Sequence, residues 1–502
     1  MRYGLYLAGA SILLAAAPAS AKTLREALVE AYNTNPTLTA DRANVRAIDE
    51  NVPIARAQGL PSASINAQYN ENVYNNANTL SNPARQLNVQ PQVSVPIYAG
   101  GAVRNSIKAA KTRVDAGRLS LRDTEASVFS SVVGAFMDVL RDEAIVALNA
   151  QNVHVLDVNL QASRDRFQVG DLTRTDVAQS EARLALARSQ LQSAQAQLIS
   201  SRENYIRYVG TAPVGLEQPP VLPNLPTDPE AAVDVALKDN PALLSAQKSR
   251  DASVYDVGTA AAQRLPRLNA VASGTYYDYF GSLGSATQFG ISQSGKSAAL
   301  GLQLSLPLYQ GGGPTAQIRQ AQARRGQAIE QVTEVERNVI AQTRSAYAVW
   351  KSSLEVIASS ETAVNANKLS LEGVRAENSV GSRTILDILN AEQELLNSQI
   401  TLVSAQRDAY VAGFSLLAAM GKAESRDLGL DGGALYDPTL NYKRVSHTIW
   451  DWAPAPAPKP VATSTAATLP QTAIVTKPLD PFLDTPVDST ATNQGNSTVR
   501  KR

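Results

Sequence analysis

Between Pro61 and Tyr98 apolar and polar residues alternate. Ala63, Ile65, Ala67, Tyr69 and Val73 share one face, and Ser64, Asn66, Gln68, Asn70 and Asn72 the other, with Glu71 as a break. Leu87, Val89, Val93, Val95 and Ile97 then alternate with Asn88, Gln90, Gln92 and Ser94. A period of two predicts a pair of strands joined by the Asn/Ser-rich loop Asn75–Asn82. A second pair is written in Leu268, Ala270, Ala272 and Tyr276, followed by Ala298, Leu300, Leu302, Leu304 and Leu306. A soluble sandwich would alternate in the same way. These runs, however, reach about ten residues, enough to cross a bilayer at a tilt, and their polar side is Asn, Gln and Ser, as a watery lumen allows.

The rest of the pattern is helical. From about Ala102 to Phe167, and again from about Gln317 to Glu377, there is no proline and almost no glycine, while Ala, Gln, Arg, Glu, Val and Leu dominate. At 1.5 Å per residue each stretch would reach roughly 90 to 100 Å, far beyond the needs of a globular core. Shorter helices are expected at Thr173–Tyr208 and Thr384–Met420, and others ahead of each strand pair near Thr23–Gln58 and Pro229–Gln263. Val177, Leu184, Leu191 and Leu198, spaced by seven, indicate coiled-coil packing. Periodicity alone would equally describe a tethering rod, but each strand pair lies between helices and ends in Tyr-x-Gly-Gly, at Tyr98–Gly101 and Tyr309–Gly312.

The two halves match. Asn35-Pro36 recurs as Asn240-Pro241 and Leu60-Pro61 as Leu265-Pro266, each 205 positions on. Val95-Pro96-Ile97-Tyr98 matches Leu306-Pro307-Leu308-Tyr309, Val169-Gly170 matches Val380-Gly381, and Val209-Gly210 matches Met420-Gly421, all 211 positions on. The offset changes once, between Leu60 and Val95, and then holds. Insertions are tolerated in loops and punished in long packed helices, so the chain reads as a duplicated unit with one lengthened loop. The expected division is a leader over 1–21, a first repeat over 22–210, a linker over 211–228, a second repeat over 229–421, a further segment over 422–453 and a tail over 454–502.

Only four such strands exist, and the smallest membrane barrels have about eight, because an open edge in lipid leaves backbone groups unpaired. One chain cannot close a barrel. Strand arithmetic permits a dimer, trimer or tetramer.

Composition narrows the picture. Met1-Arg2-Tyr3, the apolar Leu5–Ala17 and the small-residue site Ala19-Ser20-Ala21 read as a secretory signal peptide cleaved after Ala21. No later stretch has the roughly 18 apolar residues of a spanning helix. The absence of cysteine excludes a disulfide framework, a thiolate metal site and N-terminal lipidation. With 46 basic and 45 acidic residues, nothing argues for nucleic acid. The two histidines, His154 and His447, are too far apart in sequence to suggest a metal pair, and no catalytic constellation or cofactor signature is present. Gly311-Gly312-Gly313 lacks the Lys-Ser/Thr of a phosphate loop and reads as a strand-to-helix turn. From Pro454 the chain is rich in Pro, Ala, Thr and Ser, and a disordered periplasmic tail is expected.

The duplication, the strand pairs ending in Val/Leu-Pro-Ile/Leu-Tyr-x-Gly-Gly and the Val-Gly-x-x-Thr-x-x-Asp ahead of each shorter helix resemble the TolC family of outer-membrane efflux and type I secretion channels. The resemblance spans roughly Thr23 to Lys422. It implies an α+β membrane protein, a long antiparallel α-helical coiled-coil barrel continuous with a transmembrane β-barrel, built as a homotrimer with twelve strands. It further implies an equatorial belt, to which 211–228 and the chain after Ala423 contribute. The implied partners are outer-membrane lipid, a periplasmic adaptor (membrane fusion) protein and an inner-membrane transporter, ABC or proton-driven. A trimeric coiled-coil adhesin would instead carry its strands consecutively at the C-terminus, and a hydrolase would need a polar constellation that is absent.

Gly170 and Gly381 mark the hairpins, so the residues after them belong at the tunnel's periplasmic tip. Asp176 and Asp387 stand 211 positions apart there. Thr173-x-x-Asp176 and Thr384-x-x-Asp387 fit a capping box, which is one reading of both acids. The resemblance implies another: Arg383 ties to Asp176 and holds the tip closed, while Asp387 forms an acidic ring in the pore. The family's usual tyrosine and second pore acid fall at Asn378 and Asn390.

Overall fold

A computed structural model describes residues 22–74, 83–283, 287, 290–430, 435–454 and 457–485. The expected leader over 1–21 and the loop Asn75–Asn82 lie outside the described residues. The elements run α1 (Leu24–Thr34), α2 (Pro36–Asp49), α3 (Asn51–Ala57), β1 (Ser62–Glu71), β2 (Arg85–Ala99), α4 (Ala102–Gln168) and α5 (Arg174–Val209). They continue with α6 (Pro229–Asp239), α7 (Pro241–Ala261), β3 (Arg267–Asp278), β4 (Ser294–Ser305), α8 (Gly313–Ser379), α9 (Ile385–Ala419) and α10 (Thr439–Val445).

The four strands form one antiparallel sheet in the order β1-β2-β3-β4. Ser62 faces Ser94 and Glu71 faces Arg85 across the first pair, and Arg267 faces Ser305 across the last. A shift at Pro96/Tyr98 interrupts the central ladder, where a proline can donate no bond. β1 is exposed along its whole length and β4 along nearly all of it, so no core lies beneath either edge strand.

At the helical end of the sheet Gly101 and Gly312 take left-handed φ of +82° and +80° and stand at the N-caps of α4 and α8. A side chain would clash in that conformation, which is why glycine closes both strand-to-helix turns. Both helices have 67 residues, about 100 Å at 1.5 Å per residue. No helix among the described residues is apolar enough to cross a membrane.

The helices expected at Thr23–Gln58 and Pro229–Gln263 are in fact broken. Asn35 and Asn240 interrupt them in extended backbone with ψ of 125° and 120°, as the residue before a proline must, and Pro36 and Pro241 open the next helix. Each asparagine works in two directions. Asn35 accepts from the Thr37 and Leu38 N–H groups while donating 2.9 Å to the Tyr208 carbonyl. Asn240 accepts from the Leu243 N–H and donates 2.9 Å to the Ala419 carbonyl. The break in the first helices thus satisfies a free carbonyl at the end of α5 or α9. Gly421, with φ +70°, sits against the Asp239 carbonyl, where any Cβ would collide.

The main core lies at mid-height. Phe129, Phe136, Tyr205, Leu198 and Phe414 are buried there together with Leu216, Ala423 and Leu430 from the segments after α5 and α9.

The disordered tail expected from Pro454 is corrected over 457–485, which lies as an extended strap along the helices. Arg202 of α5 donates to the Thr472 and Ile474 carbonyls, at 2.5 and 3.0 Å, while holding Glu143 of α4 at 2.6 Å. Gln399 of α9 donates 2.7 Å to the Leu483 carbonyl, Gln151 of α4 donates 2.6 Å to that of Thr485, and Lys368 of α8 donates to that of Phe482. Leu483 is buried among Leu148, Val364 and Leu402. A Pro-rich segment without periodicity needs no structure of its own when side chains of four helices satisfy its carbonyls.

Candidate gate at the helical tip

Each long helix ends in the same way. Gly170, with φ +86°, donates to the Phe167 carbonyl while Asp171 N–H reaches that of Arg166, a Schellman closure. Gly381, with φ +82°, donates to Asn378 while Ser382 N–H reaches Glu377. Val169 and Val380 stand 81% and 80% exposed at these turns, apolar groups with no cover in the chain.

The shorter helices then start with capping boxes. The Thr173 N–H donates 2.9 Å and its hydroxyl 2.7 Å to Asp176, whose own N–H returns 3.3 Å to the hydroxyl. Thr384 and Asp387 repeat this at 2.9, 2.8 and 3.3 Å. These bonds favour the ionised acid, so both pKa values are lowered. For Asp176 the Thr173 hydroxyl is the larger cause, and for Asp387 the Thr384 N–H. Both acids are half-buried and engaged as caps.

Arg383 and Asp176 are not paired within the chain. The Arg383 guanidinium donates 2.7 Å to Glu377 across its own hairpin turn. The first hairpin is closed by the reversed pair, Arg166 to Asp171 at 2.8 Å. The two asparagines are also engaged: Asn378 donates 2.7 Å to the Arg383 carbonyl, and Asn390 accepts 2.8 Å from Arg183 of α5. The second of these bonds joins one hairpin to the other.

Above the tip lies a group that the sequence pattern alone does not single out. Glu392 of α9 is buried, accepting from Arg375 of α8 at 3.1 Å and from Asn159 of α4 at 3.2 Å. Burial pushes its pKa up, against the opposing pull of Arg375 and Asn159. A signal was present: Arg164 and Glu181 stand 211 positions before Arg375 and Glu392, and they also pair, at 3.7 Å on the surface. His154 is exposed, and His447 Nδ1 lies 3.2 Å from Arg56. Among the described residues no cluster of three His, Cys, Asp or Glu could hold a metal.

The model of the outer membrane efflux protein family matches residues 27–211 and 232–422. The outer membrane efflux protein BepC of Brucella suis biovar 1 (strain 1330) is 34% identical over 457 residues, covering 89% of this chain and 97% of that relative. The chain belongs to the outer membrane efflux protein family. It is an export channel of the outer membrane. Another relative, the outer membrane protein TolC of Escherichia coli (strain K12), is 28% identical over 453 residues, covering 87% of this chain and 88% of its own. Among solved structures, the outer membrane protein VceC of Vibrio cholerae superposes with a TM-score of 0.68 at 21% identity, over 79% of this chain and 96% of its own. That likeness extends to the fold of helices and sheet described above.

Proposed function

We propose that the chain is a duplicated unit that trimerises into a twelve-stranded barrel continuous with a helical tunnel. It serves there as the exit duct of a tripartite efflux pump or a type I secretion system. The observation that carries this reading is the sheet. Its outer strands β1 and β4 leave unpaired edges and neither has a core beneath it, yet the sheet sits on helices about 100 Å long. Edges of this kind are stable in lipid only when another copy pairs with them. The duplication is supported by the two separate stretches that the family model matches and by the paired Asn35 and Asn240 joints.

The tip is the gate. Asp387 supplies an acidic ring from three chains, and Arg383 with Asp176 restrains the hairpins, Arg383 reaching Asp176 of a neighbouring hairpin when it leaves Glu377. The exposed Val169 and Val380 offer an apolar rim to a periplasmic adaptor, with an inner-membrane transporter beyond it.

Purified protein in a planar bilayer should give discrete, cation-preferring conductance steps and run as a trimer in detergent; a monomer without conductance would overturn the reading. Deleting the gene and scoring drug sensitivity against the set of secreted proteins separates the two export routes.

A further inference from the structure

The chain after α9 returns to the foot of the sheet. Asn441 of α10 donates 2.9 Å to Asp49 at the end of α2, and the Arg118 guanidinium covers the Tyr442 ring at 5.2 Å. Farther along, Arg56 of α3 donates 2.6 Å to the Ser446 carbonyl. Because α3 is followed at once by β1, α10 runs beside α2 and α3 towards the sheet. Val445 and Ser446 are buried, the last seated residues before the chain packs again as the strap over 457–485.

Beyond Ser446 the chain turns apolar and uncovered. Ile449, Trp450 and Trp452 are 73%, 69% and 83% exposed, in a turn closed by Ala453 N–H on the Trp450 carbonyl at 3.2 Å. The third tryptophan of the chain, Trp350, packs edge-on against Tyr347 in the helical body. Lys443 and Arg444 occupy the last turn of α10 and are exposed, just behind the indoles. At the same end of the sheet, Ile97 of β2 and Leu304 of β4 are exposed apolar side chains.

We propose that the turn Ile449–Trp452 is a lipid-interface anchor. Its indoles seat among the headgroups of the leaflet nearest the helical body, and Lys443 and Arg444 reach the lipid phosphates. An indole has an apolar ring and one N–H donor, which suits the boundary between acyl chains and water better than either side of it. Cations behind it match anionic phosphates. Asp451, between the two tryptophans, points the turn at the interface and not into the acyl region, where an ionised carboxylate would be costly. The occupant is phospholipid, because the turn leaves Ser446 where Arg56 ties the chain to α3, the helix that leads directly into the exposed strand β1. This inference rests on the reading of the sheet as part of a membrane barrel.

The test is tryptophan quenching by brominated phospholipid in vesicles containing the full-length chain with Trp350→Phe, which leaves Trp450 and Trp452 as the only tryptophans. Bromine near the headgroup end of the acyl chain should quench most of the emission, and bromine near the chain terminus much less. Adding Trp450→Phe or Trp452→Phe singly should remove part of the quenchable signal. A control chain with all three tryptophans changed to Phe and Leu302→Trp on β4 reports the barrel. Quenching of that control without quenching of Trp450 and Trp452 would overturn the anchor, meaning that protein covers the turn. An unquenched control would overturn the barrel reading and the anchor with it.

Discussion

Arg183 of α5 donates to Asn390 of α9 across 2.8 Å, joining the two helical hairpins close to the tip. Asn390 stands where the resemblance to the TolC family implies a second pore acid, and in this chain the position carries a bond between the hairpins.

Asn390→Ala should therefore raise single-channel conductance, because opening the tip requires the hairpins to part. Asn390→Asp should lower it, since a charge-assisted bond to Arg183 is stronger, by about 0.2 to 1 kcal/mol for an exposed pair. Planar-bilayer recordings distinguish the two, and equal conductance in both variants would assign the bond no part in gating.

Arg383 has one partner in the chain and another implied for the assembly. Arg383→Ser should raise conductance. Glu377→Gln and Asp176→Asn, each combined with Arg383→Ser, then form two double-mutant cycles. Coupling in conductance only with Glu377 makes Arg383 a local brace of its hairpin, whereas coupling with Asp176 makes it the lock.

Asp387 has a lowered pKa because the Thr384 N–H and hydroxyl both bond its ionised form. The stability it lends the hairpin is full above the ordinary aspartate value of 3.8 and is lost as pH falls through the lowered value. Block of the pore by multivalent cations should likewise be lost on acidification, as Asp387 becomes protonated. Asp387→Asn should abolish block at neutral pH, and full block in that variant would reduce Asp387 to a cap.

Leu483→Ala should lower stability by about 2 kcal/mol, the low end for a buried leucine, because an extended strap can shift into part of the space left. Thermal unfolding measures the change. Arg202→Ala should free the strap from α5 as well, seen as faster proteolysis within 457–485. An unchanged cleavage rate would mean that the apolar seat of Leu483 holds the strap alone.

Much of this molecule was legible in its sequence. The alternation from Ala63 to Tyr69 predicted a strand that starts at Ser62, and the proline-free stretch from Ala102 predicted α4 to within a residue of its end. The hairpin glycines and the Thr-x-x-Asp caps were readable for the same reason, since φ/ψ preference and capping are decided within a few residues of chain. The matched Asn-Pro pairs were visible as landmarks, but their purpose was not: Asn35 meets the Tyr208 carbonyl from the far side of the sequence.

Sequence by itself determined the two strand pairs, the two long helices with their shorter partners, and the glycine turns and Thr-x-x-Asp caps between them. Only the tertiary structure decided that Asn35 and Asn240 tie off α5 and α9, that Glu392 is buried while its counterpart Glu181 is exposed, that Arg383 rests on Glu377, and that the tail becomes a strap. The division has a physical cause. Periodicity and propensity act over one or two turns of chain, whereas the partner of a carbonyl or a guanidinium is chosen by which helices pack side by side and how much water they exclude.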